Sequence, residues 1–202
     1  MNYTQWANGL SWVLHPFLQP LYLITLLLTC TAFAGYSWTV RLYLWGVVIL
    51  YTMLIPVLAL CLLRAFGRLS DFRIDNRNER ILPLLVGAVC YLLCALTLSR
   101  IGSAVFIRKF MVAAACCELM ALLVSLRWKI SLHLTGMGAL TAMFVTMNFI
   151  GVGNMLVPLS VIVLASGALA SARLYLGCHN GAQVLAGFCG GFVVATLAVL
   201  FL

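Results

Sequence analysis

The feature that most constrains this chain is the length of its apolar runs. Residues 42–63, 81–98 and 184–202 form three tracts without a single acid or base. A run of about 20 such residues matches the hydrocarbon core of a bilayer. Backbone polar groups inside lipid must be satisfied within the segment, which selects helices. Four more tracts follow the same reading, at residues 18–34, 110–126, 134–149 and 155–170. The expectation is an all-α, polytopic transmembrane helical bundle of about six to seven spans, in one domain covering 1–202. Twelve basic and four acidic residues among 202 exclude a soluble globule. No basic n-region precedes the first tract, so no cleavable signal is expected. Seven cysteines (30, 61, 90, 94, 116, 117 and 189) sit inside apolar tracts and read as small core residues; Cys178 lies in a polar stretch. The net charge of +8 is spread over short loops between apolar runs. That pattern fits lipid headgroups or anionic substrates, not nucleic acid.

Polar residues gather in a few knots. Residues 3–15 are amphipathic, with Trp6 and Trp12 as interfacial anchors, and His15 reads as a helix-start residue before Pro16. Pro56 is expected to kink the second span. Residues 64–80 (RAFGRLSDFRIDNRNER) carry five arginines; in a helix Arg73, Arg77 and Arg80 would form one basic stripe. Guanidinium groups offer phosphate a bidentate fork. Glu118 falls inside an apolar tract and is expected to face the bundle interior. Residues 127–136 (RWKISLHLTG) place Lys129 four before His133, on a shared face if helical. The last knot, residues 171–183 (SARLYLGCHNGAQ), holds Arg173 and His179. Six residues turn a helix by about 240°, so these two cannot share one helix face. Gly177 permits a turn, making Arg173 the foot of one helix and His179 the head of the next. The cluster Gly187, Gly190 and Gly191 permits close packing of the last helix.

These knots resemble the motifs of the type 2 phosphatidic acid phosphatase family, membrane phosphatases related to vanadium haloperoxidases. The family's third motif is Ser-Arg, five residues, His, three residues, Asp. Here Ala172-Arg173 is followed at that spacing by His179 and then by Gln183 in place of the aspartate, with Ser171 next door. The second motif, Pro-Ser-Gly-His, aligns with Ile130, Ser131, Leu132 and His133. The first, Lys, six residues, Arg-Pro, aligns with Arg73 and Arg80, the proline displaced to Pro83; Arg73 or Arg77 takes the lysine's role.

The resemblance implies that His179 attacks phosphorus to form a phosphohistidine and that His133 protonates the leaving oxygen. Arg80 and Arg173 would hold the phosphate, assisted by Arg73 or Arg77, Lys129 and Ser131. Gln183 would orient His179 through its amide oxygen without supplying charge. Phosphoryl transfer needs fixed positive charge more than covalent machinery, and no acidic ligand cluster is visible, so no metal or other cofactor is expected. The implied substrate is a lipid phosphate or pyrophosphate entering from the bilayer. A phosphotransferase of the same fold and an inactive scaffold or lipid carrier are the competing expectations. Two spans separate Arg80 from His133 and two more separate His133 from Arg173, so all three knots can meet at one membrane face. Eight of the twelve basic residues lie on that face, which the positive-inside rule would make cytoplasmic. Bacterial relatives of this family commonly work on the periplasmic side, so for a bacterial inner-membrane protein the resemblance leans to a periplasmic site, and the orientation of that face is left open between the two. Oligomeric state is left open.

Overall fold

The computed structural model describes residues 2–70 and 77–202, and these contain no strand. The described residues form nine α-helices in order: α1 (Tyr3–Val13), α2 (Gln19–Cys30), α3 (Trp38–Ile49), α4 (Ile55–Ala65), α5 (Ile81–Leu98), α6 (Val105–Ser125), α7 (Leu132–Phe149), α8 (Leu156–Tyr175) and α9 (Gly181–Phe201). A π-helical turn at Leu50–Leu54 joins α3 to α4 in one 28-residue rod, Trp38–Ala65. Pro56 stands in the first turn of α4. Its ring lacks a donor and crowds the carbonyl four residues back, and the wider π turn makes the room. The expected distortion thus sits just ahead of the proline.

Among the described residues, four helices are long and apolar enough to cross a membrane: Trp38–Ala65, Ile81–Leu98, Leu156–Tyr175 and Gly181–Phe201. Their outer faces carry exposed Leu58, Leu96, Leu164 and Leu197, as expected where lipid replaces water. Cys30, Cys61 and Cys189 also lie on exposed surface; Cys90, Cys94 and Cys117 are buried, and all eight thiols are free. The expectation that the tract cysteines are all core residues is corrected for those three.

The first tract is shorter than expected. Helix α2 ends at Cys30, where Thr31 donates its hydroxyl to Leu27 O at 2.6 Å and accepts from Phe33 N at 3.3 Å. Twelve residues rise about 18 Å, well short of a hydrocarbon core of about 30 Å.

Helix α7 is the centre of the bundle. Leu134, Met137, Leu140 and Met143 are fully buried in it, against Leu23, Ile24, Leu27 and Leu28 of α2 in the same core. Its closest neighbour is α9, and small residues set that distance. A Cβ on Gly191 would stand 2.0 Å from Thr135 O, and one on Gly138 would stand 2.1 Å from Phe188 O. Backbones this near exclude any side chain at either position, and small residues at an interface permit that approach. At the far end of the bundle Lys109 Nζ donates to Val199 O at 2.7 Å, tying the start of α6 to the C-terminus of α9. Helix α9 therefore begins at the end where α6 finishes and α7 starts.

Candidate active site

At that end the α1–α2 connection, Arg80 just ahead of α5, the first turns of α7, Arg173 of α8 and His179 of the α8–α9 connection line a cavity of about 140 Å³. Its polar lining is His15, Gln19, Arg80, Glu118, His133, Thr135, Arg173 and His179, set among apolar side chains such as Leu84, Phe110 and Ala114. Residues from all three motif-like knots are brought together, although a hundred positions of sequence separate the first from the last.

The last knot is built locally. Helix α8 ends at Tyr175 with Arg173 in its final turn. Gly177 takes φ +65°, the left-handed turn a glycine allows. Asn180 caps α9 by accepting from Gln183 N at 2.9 Å, while Gln183 Oε1 accepts from Asn180 N at 3.2 Å. This reciprocal capping box makes His179 the residue before the cap, one step outside the helix it was expected to head. The same Gln183 Oε1 lies 3.2 Å from His179 Nδ1. Because that oxygen only accepts, Nδ1 carries the hydrogen, and the lone pair of the neutral ring is on Nε2.

Two further histidines have fixed tautomers. His133 Nε2 lies 3.2 Å from the carbonyl of Ser11, so it donates, and the lone pair falls on Nδ1. His15 is the reverse: its Nδ1 accepts from Phe17 N at 3.3 Å, which puts the hydrogen on Nε2. The two rings meet edge to face with centroids 5.2 Å apart. Gln19 locks this corner by donating Nε2 to Leu14 O at 3.0 Å and to His133 O at 3.3 Å.

The two arginines are unequally buried. Arg80 is only 4% exposed and donates Nη1 to Ile130 O at 3.1 Å. Arg173 has its Nε buried without a hydrogen-bond partner. A buried guanidinium donor left unmatched is costly, and an anion in the cavity would match it. Burial and the guanidinium of Arg173, then that of Arg80, lower the pKa of His179 to about 4, although the Gln183 contact opposes them. Burial and Arg173 likewise lower His15 to about 4. Both rings are therefore neutral at physiological pH. Among the described residues, no group of three His, Cys, Asp or Glu side chains is arranged to hold a metal.

Some expected site residues lie elsewhere. Helix α7 starts at Leu132 with Ser131 as its cap, so Lys129 shares no helix face with His133, and it does not line the cavity. Lys129 acts at a distance, as a minor cationic influence lowering His179. Ser131 is fully buried behind the lining; its backbone N donates to Gln183 O at 3.3 Å, linking the second knot to the third. Residues Arg77–Arg80 form a 3-10 turn instead of an α-helical stripe, and Arg73 lies outside the described residues. His15, read as a helix-start residue, Gln19, and Glu118, expected only to face the bundle interior, were not among the expected site residues yet line the cavity. The available signal was a polar residue before each of two prolines, His15-Pro16 and Gln19-Pro20, in a largely apolar region. No family model, curated protein or solved structure matches the chain.

Proposed function

We propose that this is an integral-membrane lipid phosphate or pyrophosphate phosphatase working through a phosphohistidine on His179. The observation that carries the reading is the ring of His179: neutral, its Nδ1–H held by Gln183, its Nε2 lone pair free, beside buried Arg80 and half-buried Arg173. A nucleophile needs a fixed orientation and an unprotonated atom, and phosphoryl transfer needs cations on the equatorial oxygens.

In this scheme Arg80 and Arg173 hold the phosphate, and Arg173 Nε gains its missing acceptor. His179 Nε2 attacks phosphorus as the bond from phosphorus to the lipid oxygen breaks. His133, keeping Nε2–H on the Ser11 carbonyl, carries a second proton on Nδ1 while the dianion is bound and gives it to the leaving oxygen. Water then attacks the phosphohistidine, His133 Nδ1 takes its proton back, and inorganic phosphate leaves. Arg73 or Arg77 takes the part of the motif lysine in this reading, whereas Lys129 and Ser131 act from outside the cavity.

Seven crossings fit this scheme: α2 with the turn that follows it, α3 with α4, α5, α6, α7, α8 and α9; α2 leaves the cavity end, and Phe33 beyond it packs on Phe106 at the start of α6, at the far end. The cavity would open at the periplasmic face of a bacterial inner membrane. The test is phosphate release from a panel of lipid phosphates by purified protein, together with trapping of an acid-labile phosphoenzyme. Release and trapping that both vanish in His179→Ala are expected; release that survives it would end the proposal.

A further inference from the structure

Glu118 is the acidic member of the cavity lining, and the scheme above makes no use of it. It lies in the middle of α6 among apolar side chains, where an ionisable group is costly and marks function by default. Its Oε2 is out of solvent contact and has no hydrogen-bond partner. The carboxyl is seated in a slot opened by Gly87 of α5, where a Cβ would stand 2.3 Å from Oε2. Gly87 is seven residues past Arg80, the N-cap of α5, which places the slot about 10 Å further along the bundle axis. Leu84, Tyr91, Phe110 and Ala114 line the cavity around this inner end. The cavity therefore has arginines at its mouth and, at depth, the carboxyl of half-buried Glu118, whose Oε2 rests against Gly87 without a partner, with a largely apolar wall between them.

We infer that this inner end is a subsite that accepts a hydrogen bond from a hydroxyl near the first carbons of a lipid whose phosphate occupies the mouth. The inference rests on reading the arginines as a phosphate site. A hydroxyl suits the position better than an ammonium group. Both would match the oxygen, but a neutral donor is far less costly to bring into apolar surroundings. A lipid that offers no donor there leaves the carboxyl oxygen unmatched, and such a mismatch is what gives polar subsites their discrimination.

The experiment uses binding, so that it reads out whether or not the protein hydrolyses anything. Full-length protein in detergent is titrated with a hydrolysis-resistant phosphonate analogue of a monoacylglycerol phosphate, and with the same analogue lacking the free hydroxyl. The hydroxylated analogue is expected to bind about 10–100-fold more tightly, the range for one buried hydrogen bond and its unmatched partner. Glu118→Leu should remove that preference while leaving the affinity for the deoxy analogue unchanged. Glu118→Gln should keep it, because the amide oxygen still accepts. Equal binding of both analogues by the unmodified protein, binding of neither, or equal weakening of both by Glu118→Leu would overturn the subsite. Loss of the preference in Glu118→Gln would overturn the choice of a neutral hydroxyl. Phosphate release measured separately decides the phosphatase reading: selective binding without release leaves the subsite standing and removes the enzyme.

Discussion

Two regions deliver histidines to the same cavity, and they do it by different physics. The α7–α9 seam delivers His133 and His179. It is a contact of main chain on main chain, with Gly191 and Gly138 against Thr135 O and Phe188 O, and Ser131 N donating to Gln183 O. The connector between α1 and α2 delivers His15, and side-chain hydrogen bonds hold it: Gln19 to Leu14 O and His133 O, and His133 to the carbonyl of Ser11. A seam of touching backbones cannot adjust without moving a helix. A connector held by side-chain hydrogen bonds can be altered one bond at a time. The seam is where a reaction needing fixed geometry is placed, and the connector tunes what the seam presents.

The largest effects should fall on the seam histidines. His179→Ala is expected to abolish turnover and phosphoenzyme together. His133→Ala should slow turnover by roughly 10²–10⁴-fold, the range for a lost general acid, and less for a substrate whose leaving group is a weak base, such as a nitrophenyl phosphate. His15→Ala, on the connector, should cost less than either. Steady-state kinetics on the three variants checks the order; a His15→Ala defect as severe as that of His179→Ala would erase the distinction between the regions.

Stability separates them next. Gly191→Ala drives a methyl into the carbonyl of Thr135 at 2.0 Å, and neither backbone can step aside alone. Overpacking of this kind costs about 1–3 kcal/mol. Gln19→Leu removes two hydrogen bonds of roughly 0.5–1.5 kcal/mol each but keeps the volume of a buried side chain. Thermal unfolding in detergent should show the larger drop for Gly191→Ala. A larger drop for Gln19→Leu would mean that the connector, not the seam, holds the site together.

The contrast also explains what could be read in the sequence. Arg173, His179 and Gln183 were legible because one turn and one capping box bring them together, and both devices are local. The glycines at 187, 190 and 191 announced a close helix contact, and Gly191 meets α7 while Gly190 faces Met120 of α6. The partners of the connector were not legible. Gln19 bonds a carbonyl 114 residues away and His133 bonds one 122 residues away, and no local pattern encodes contacts that the finished bundle alone creates. The end of α2 at Cys30 was missed for a related reason. Hydropathy continues through Ala32–Gly35, but the Thr31 hydroxyl takes over the backbone groups there and stops the helix.

The finest test of the seam concerns charge at one atom. Burial and two arginines lower His179 to about 4, against an ordinary imidazole near 6.5. The free protein should therefore keep its nucleophile unprotonated down to about pH 4, and the acid limb of kcat/KM should fall there. The same shift has a signed effect on stability. A histidine held neutral when folded binds its proton more readily when unfolded. Its contribution is level above pH 6.5, declines as pH drops from 6.5 to 4, and is level again below. His15 adds to the decline over the same window. Gln183→Glu then sharpens the prediction. Glutamate at this position keeps the capping box, and its carboxylate would stand where Gln183 Oε1 now lies, 3.2 Å from His179 Nδ1. An opposite charge at that range raises a histidine pKa by about 1–3 units. The acid limb should move up by that amount while the rate at neutral pH is kept, and the acid-side loss of stability should shrink. Gln183→Asp, one methylene shorter, should show the same direction with a smaller shift. An acid limb that stays near pH 4 in both variants would mean that Gln183 does not face the reactive ring during turnover, and that the seam sets position alone.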